Sequence, residues 1–271
     1  MAPREFAVSG PVRIQATGRA GDLTVTTGAE DEVRVDIDGD GGDVRVDLVG
    51  DVLRIEVPQH ARQLVAHRSS HRIAVTVPPR SSLDVGSGSG DVRTLGELAQ
   101  VAVRTGSGRV DVAAADDASI TAGSGDVTMT SLGTGTITTG SGDVVAATVS
   151  GALRARSASG DVVVTTATEL DVTTASGDVL VRELHGQASA RTVSGDILVN
   201  RAVSGRLQAM TASGDVAVRV AEGTAALLGC SSVSGTVTST LEPAGEPEAG
   251  TPTVELRART ISGDISIRRT G

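Results

Sequence analysis

From Leu83 onward, short runs of alternating apolar and polar residues are broken at regular intervals by a Gly-rich tripeptide. The tripeptide is Ser-Gly-Asp or a near copy, with its Ser at Ser89, Ser107, Ser124, Ser141, Ser159, Ser176, Ser194, Ser213, Ser234 and Ser262. Successive intervals are 18, 17, 17, 18, 17, 18, 19, 21 and 28 residues. Aligned on that Ser, apolar residues form columns. Six before it stand Leu83, Val101, Leu153, Leu170 and Leu207, and four before it Val85, Val103, Ile120 and Val172. Three after it stand Val92, Val127, Val144, Val162 and Val179, and five after it Val112, Val164, Val181 and Val199. A step of two between columns is the strand period. Each unit therefore predicts two short strands around a tight corner, and no segment carries a helical period.

A unit of 17–18 residues cannot bury its own apolar face, and stacking copies turns each column into a continuous ladder. The expected fold is all-β: a right-handed parallel β-solenoid with two main strands per coil. Antiparallel hairpins are the competing arrangement, because a tight corner also suits a hairpin turn. At about 4.8 Å per coil, ten coils make a rod roughly 48 Å long. The small inward residues predict a dry lumen without a ligand cavity. The stretches Thr130–Gly133, Arg182–Gly186 and Glu242–Pro252 vary in length between units and read as surface loops. The coil holding Ile265 and Ile267 is expected to be the last of the stack, with an uncovered end.

Residues 1–82 read as an N-terminal β cap with degenerate coils, and 83–271 as one continuous repeat domain. Val33, Val35 and Ile37 alternate, as do Val44, Val46 and Leu48, Leu53, Ile55 and Val57, and Ile73, Val75 and Val77. Gly21-Asp22-Leu23 and Gly42-Asp43-Val44 echo the corner, and residues 58–72 read as a polar loop.

Composition narrows the function. All 24 basic residues are Arg, the formal charge is -9, and Phe6 is the one aromatic residue. An acidic chain without stacking platforms argues against a nucleic-acid partner. It also disfavours a carbohydrate-cleaving groove. The first ten residues hold no apolar signal segment, and no apolar run approaches the roughly 20 residues of a membrane helix. The expectation is a cytoplasmic chain without direct membrane insertion. Cys230 is the single cysteine, so no intrachain disulfide can form.

Three features offer chemistry. The Asp column (Asp91, Asp126, Asp143, Asp161, Asp178, Asp196, Asp215 and Asp264) could bind calcium, but hydrogen bonding to the turn backbone is the simpler reading. A hydroxyl column two before each Ser (Thr105, Thr139, Ser157, Thr174 and others) lacks a nearby base, which nucleophilic catalysis requires. His60, His67 and His71 lie in a segment without helical period, Cys or carboxylate, so a zinc site is not expected there. No catalytic, metal or cofactor residue is assigned. Cys230 occupies an inward column and reads as a small core residue. Arg109 and Asp111 alternate outward on one coil, and outward Arg residues recur at Arg154, Arg156, Arg191, Arg257 and Arg259. Four residues after the Ser, an outward position, five consecutive units carry Val145, Val163, Leu180, Leu198 and Ala217. That strip is the candidate surface for a protein partner or for self-association.

The blocks SGSGDV, SASGDVVV and TASGDV, with VTVPPRSSLDVGSGSGDV leading into them, resemble the adhesin-type β-strand-repeat family also called Toastrack. The resemblance spans roughly residues 30 to 267. It implies a fold similar to bacterial β-helix adhesin heads and a role in adhesion or envelope stress, and it brings no catalytic residues. The sequence thus points to a non-enzymatic scaffold or adhesin-like binding module. The alternatives are a polysaccharide-active β-helix enzyme and a calcium-stabilised rod.

Overall fold

The structure is a computed structural model describing residues 3–18, 21–38, 44–57, 71–242 and 247–270. Every regular element among them is a strand. Two compact units, Met1–Leu132 and Gly133–Gly271, are taken in turn.

In the first unit, β1 (Arg4–Ala7), β2 (Arg13–Gly18), β3 (Asp22–Thr27), β4 (Glu32–Asp38), β5 (Arg45–Val49), β6 (Val52–Glu56), β7 (Arg72–Val77) and β8 (Ser82–Ser87) are short. They are followed by the long strands β9 (Val92–Thr105) and β10 (Val110–Ala122). β2 is paired in parallel with both β6 and β8, and β3 with both β7 and β9. The first coil of the chain is therefore interior, sandwiched between two later ones. Its Gly21-Asp22 corner is genuine: Asp22 Oδ1 accepts the backbone N–H of Asp91 at 3.2 Å. The pairs β5–β6, β1–β4 and β4–β7 are antiparallel. Gly42, Asp43 and residues 58–70 lie outside the described residues.

β11 (Val127–Thr139) carries the chain into the second unit. There follow β12 (Val144–Ser157), β13 (Val162–Thr174), β14 (Val179–Ser194), β15 (Ile197–Ala202), β16 (Gly205–Ser213), β17 (Val216–Val220), β18 (Ala225–Ser234), β19 (Val237–Ser239), β20 (Thr253–Ser262) and β21 (Ile265–Arg269). Pairing is parallel and in register: Val144 faces Val162, which faces Val179, then Ile197, Val216 and Ile265. Strands that flank a corner, such as β12 and β13, pair in parallel with each other. That is a solenoid and not a stack of hairpins. The inward Val162, Val164, Val179 and Val181 are fully buried.

Two expectations are corrected. The segments Thr130–Gly133 and Arg182–Gly186 are strand, not loop, and bury Leu132 and Leu184. Eight residues after the corner Ser in the middle units, the chain turns another apolar residue inward, as at Ala115, Val149, Ala167 and Ala202. The ladder shifts register beside this position, for example between Ala167 and Glu169. A bulge of this kind bends the strand from one layer into the other.

The second correction concerns the last coil, which is not the end of the unit. β20 lies between β16 and β18, and β21 between β17 and β19. The outer coil is instead β18–β19, and the physical reason is in the columns. The inserted coil brings Leu256, Ala258, Ile265 and Ile267 into the interior, all nearly fully buried. The outer coil offers Leu228, Cys230, Val237 and Ser239 at the same positions, and Ser239 is the poorer core residue.

Candidate binding surfaces

The corners stack into two hydrogen-bond ladders that account for the Asp and hydroxyl columns. In the second unit, Asp143 Oδ1 accepts the backbone N–H of Asp161 at 2.9 Å, and Asp161 accepts that of Asp178 at 2.8 Å. Asp178 accepts that of Asp196 at 2.8 Å, and Asp196 that of Asp215 at 2.7 Å. The series then jumps with the fold: Asp215 accepts from Asp264 (2.7 Å), and Asp264 accepts from Thr236 (2.8 Å). Each carboxylate thus serves the backbone of the neighbouring coil, not its own turn. Thr236 ends the described series, where no further corner amide needs an acceptor. A carboxylate acceptor strengthens such bonds, and water access at these exposed corners reduces the gain. Asp178→Ala is expected to cost about 1.5 kcal/mol in urea melts. Thr236→Asp is expected to change stability by less than about 0.5 kcal/mol.

The hydroxyls sit inside the same corners. Thr139 Oγ1 accepts the N–H of Gly142 at 2.9 Å, and Ser157 Oγ accepts that of Gly160 at 2.7 Å. Thr192 Oγ1 donates to the carbonyl of Gly177 (3.2 Å), and Thr211 Oγ1 to that of Gly195 (3.0 Å). These groups are buried structural ties. The intervening glycines are required by proximity: a Cβ at Gly177 would fall on the carbonyl oxygen of Gly160.

The metal readings find little support in geometry. Among the described residues, no three His, Cys, Asp or Glu side chains gather as a metal site would need. His60 and His67 lie outside the described residues. His71 precedes β7, and its carbonyl accepts the N–H of Asp22 at 2.8 Å. Cys230 sits on the outer coil and is only half-buried, opposite Ala258, and burial pushes its thiol pKa up. Arg109 reaches Asp126 at 3.3 Å while Asp111 faces Arg93 at 3.5 Å, so Arg109 and Asp111 belong to separate ion pairs.

The five strip residues come together. Val145 faces Val163, which faces Leu180, then Leu198 and then Ala217, on five neighbouring strands. They span about 19 Å at the usual strand separation. Val145 is exposed and the other four are half-buried. The next two strands place Ser266 and then Thr238 in line, so the apolar run stops at Ala217.

The opposite layer holds a pattern that sequence order hides. On its outward side Arg156 faces Thr173, Thr173 faces Arg191, Arg191 faces Met210, and Met210 faces Arg259. Arginine thus recurs on alternate strands. Carboxylates sit among the arginines of this face: Asp171 lies 3.1 Å from Arg154 and 3.7 Å from Arg191, a member of the row. Glu255 lies 2.7 Å from both Arg206 and Arg257. The Arg206 hydrogen bond, with help from Arg257, holds the Glu255 carboxyl below the usual range. Alongside runs the residue before each corner Ser, where Val193 and Ile261 are exposed. At the outer coil a concavity of about 900 Å³ is lined by Leu227, Leu228, Leu241 and Val254 with Arg206 and Arg269. Both arginines have partners already: Arg269 donates to the carbonyls of Ala221 and Thr224.

Stacked parallel coils held by corner ladders define a β-solenoid of the repeat type. The chain belongs to the Toastrack family, DUF4097, whose model matches residues 12–268. It is similar to solved structures of low identity. One is a candidate adhesin from Bacteroides fragilis, at 14% identity, covering 98% of this chain and 96% of the other, with a TM-score of 0.42. Another is a candidate lipid-binding protein from Parabacteroides distasonis, at 17% identity, with the same coverage and a TM-score of 0.46. A candidate adhesin from Parabacteroides distasonis shares 15% identity over the same spans, with a TM-score of 0.41. No protein of curated function matches the sequence. No helix among the described residues is long and apolar enough to cross a membrane.

Proposed function

We propose that this chain is a non-enzymatic binding module. Its solenoid acts as a rigid scaffold, and the strip Val145, Val163, Leu180, Leu198 and Ala217 docks a protein partner. The observation that carries the reading is the uninterrupted register of these five residues on an outward face. The same column holds Arg93 and Asp111 in the first unit and Ser266 beyond Ala217. A soluble strand face is ordinarily polar, and a run of aliphatic side chains on adjacent strands is a ready protein contact. The non-enzymatic reading is supported by the corners, whose buried hydroxyls are committed to glycine backbone groups.

The test is Leu180→Lys with Leu198→Lys. Half-buried outward positions tolerate this at little cost in melting temperature. Affinity for whatever the wild-type chain captures, or self-association seen by light scattering, is expected to fall at least about tenfold. Unchanged capture and unchanged light scattering would reduce the strip to same-face packing.

A further inference from the structure

We propose that the arginine-bearing outward face of the second unit binds a linear acidic polysaccharide laid along the stacking direction. This does not rest on the aliphatic strip, which lies on the other layer. Arg156, Arg191 and Arg259 stand in one row on alternate strands, so their charges recur about every 10 Å. The out-of-order insertion of β20 creates that interval. Stacked in chain order, Arg259 would be three strands from Arg191; in the structure it is two. Among the described residues, Arg156 and Arg259 of the row have no ion pair or side-chain hydrogen bond, and Arg191 has one long contact, to Asp171 at 3.7 Å. Met210 and Thr173 separate them.

The wider face carries Arg154, Arg206 and Arg257 as well, opposed by Glu169, Asp171 and Glu255. It is a positive surface on a chain of net charge -9. The Asp ladder lies around the corner from this face, past the row containing Val193 and Ile261, with one oxygen of each carboxylate held by backbone. A guanidinium offers a planar fork that fits carboxylate or sulfate. A polymer with carboxylates along an extended backbone can meet three such forks at once, and multivalency then raises avidity. A duplex nucleic acid carries a charge about every 1.7 Å, far denser than this row. A single strand would ask for aromatic platforms, and Phe6 belongs to the first unit.

Polygalacturonate is the probe, tested against the full chain by affinity electrophoresis, with dextran as the uncharged control. Wild type is expected to be retarded by polygalacturonate but not by dextran, and less so as salt rises. Arg156→Gln, Arg191→Gln and Arg259→Gln together are expected to weaken binding at least about tenfold, with the melting temperature retained. The matching Lys triple, which keeps charge but loses the fork, is expected to fall between the two. Arg13→Gln, Arg54→Gln and Arg93→Gln, an equal charge change in the first unit, should leave binding within about twofold. The proposal is overturned by absence of retardation or by equal losses in the two Gln triples. It is also overturned if single-stranded DNA or phosphatidylglycerol vesicles bind more tightly than polygalacturonate.

Discussion

Gly177→Ala is expected to destabilise the protein by about 3 kcal/mol, a large effect for adding one methyl group. The φ of Gly177 lies outside the left-handed region, so backbone strain is not the cause. The cause is the stacking distance. A Cβ at Gly177 would overlap the carbonyl oxygen of Gly160, lie 2.7 Å from its carbon, and approach Thr174 Oγ1 at 3.0 Å. None of these is the free end of a flexible side chain. The Gly160 carbonyl belongs to the next corner, and Thr174 Oγ1 accepts the Gly177 N–H at 3.1 Å. Relief requires two coils to part locally, which strains both the hydroxyl and the carboxylate ladders. Gly86→Ala is the internal control. Its Cβ would meet nothing within 4 Å, and its φ is also ordinary. That substitution should be neutral or stabilising by up to about 1 kcal/mol, through the lower entropy of the unfolded chain. Equal melting temperatures for the two variants would show that the corners do not stack this closely.

Much of this architecture is legible in the amino-acid sequence, because a ladder repeats one decision many times. The columns led by Leu83, Val85, Val92 and Thr94 are spaced by two residues within each strand and become buried positions on neighbouring strands. The inward column at Leu132, Val149, Ala167 and Leu184 escapes the same reading. It stands three residues beyond the preceding inward position, as Ala167 does after Val164, and that odd step breaks the parity on which an alternating pattern is recognised. The role of the Asp column is only half legible. A carboxylate at a turn suggests a bond to backbone, but which coil supplies the N–H depends on stacking. The aliphatic strip is visible because it breaks the rule for an outward face. The arginine row is invisible in chain order, because its regular interval exists only after β20 has moved inward.

Chain order itself is the least legible feature, since similar units can stack on one another in several sequences. One signal does discriminate. The copy at Ser234 carries Thr236 where the copy at Ser262 carries Asp264, and only a coil with a neighbour on both sides needs the carboxylate. This reverses the expected severity of two matched substitutions. Leu228 and Leu256 occupy the same column, and chain order would make Leu256 terminal. In the structure Leu256 is fully buried between β16 and β18, while Leu228 on the outer coil is 37% exposed. Leu256→Ala is therefore expected to cost about 3–4 kcal/mol, the transfer of the lost methyl groups plus a cavity closed in by strands on both sides. Leu228→Ala should cost about 1 kcal/mol or less, since its site is already open to water. Hydrogen exchange sharpens the comparison. Loosening β20 by Leu256→Ala should strip protection from the amides of β18 and β19, which among the described residues pair through β20 and β21, while the Leu228 variant leaves β20 and β21 protected. The opposite ranking, with Leu228→Ala the more damaging change, would return the coils to chain order and dissolve the arginine interval with it.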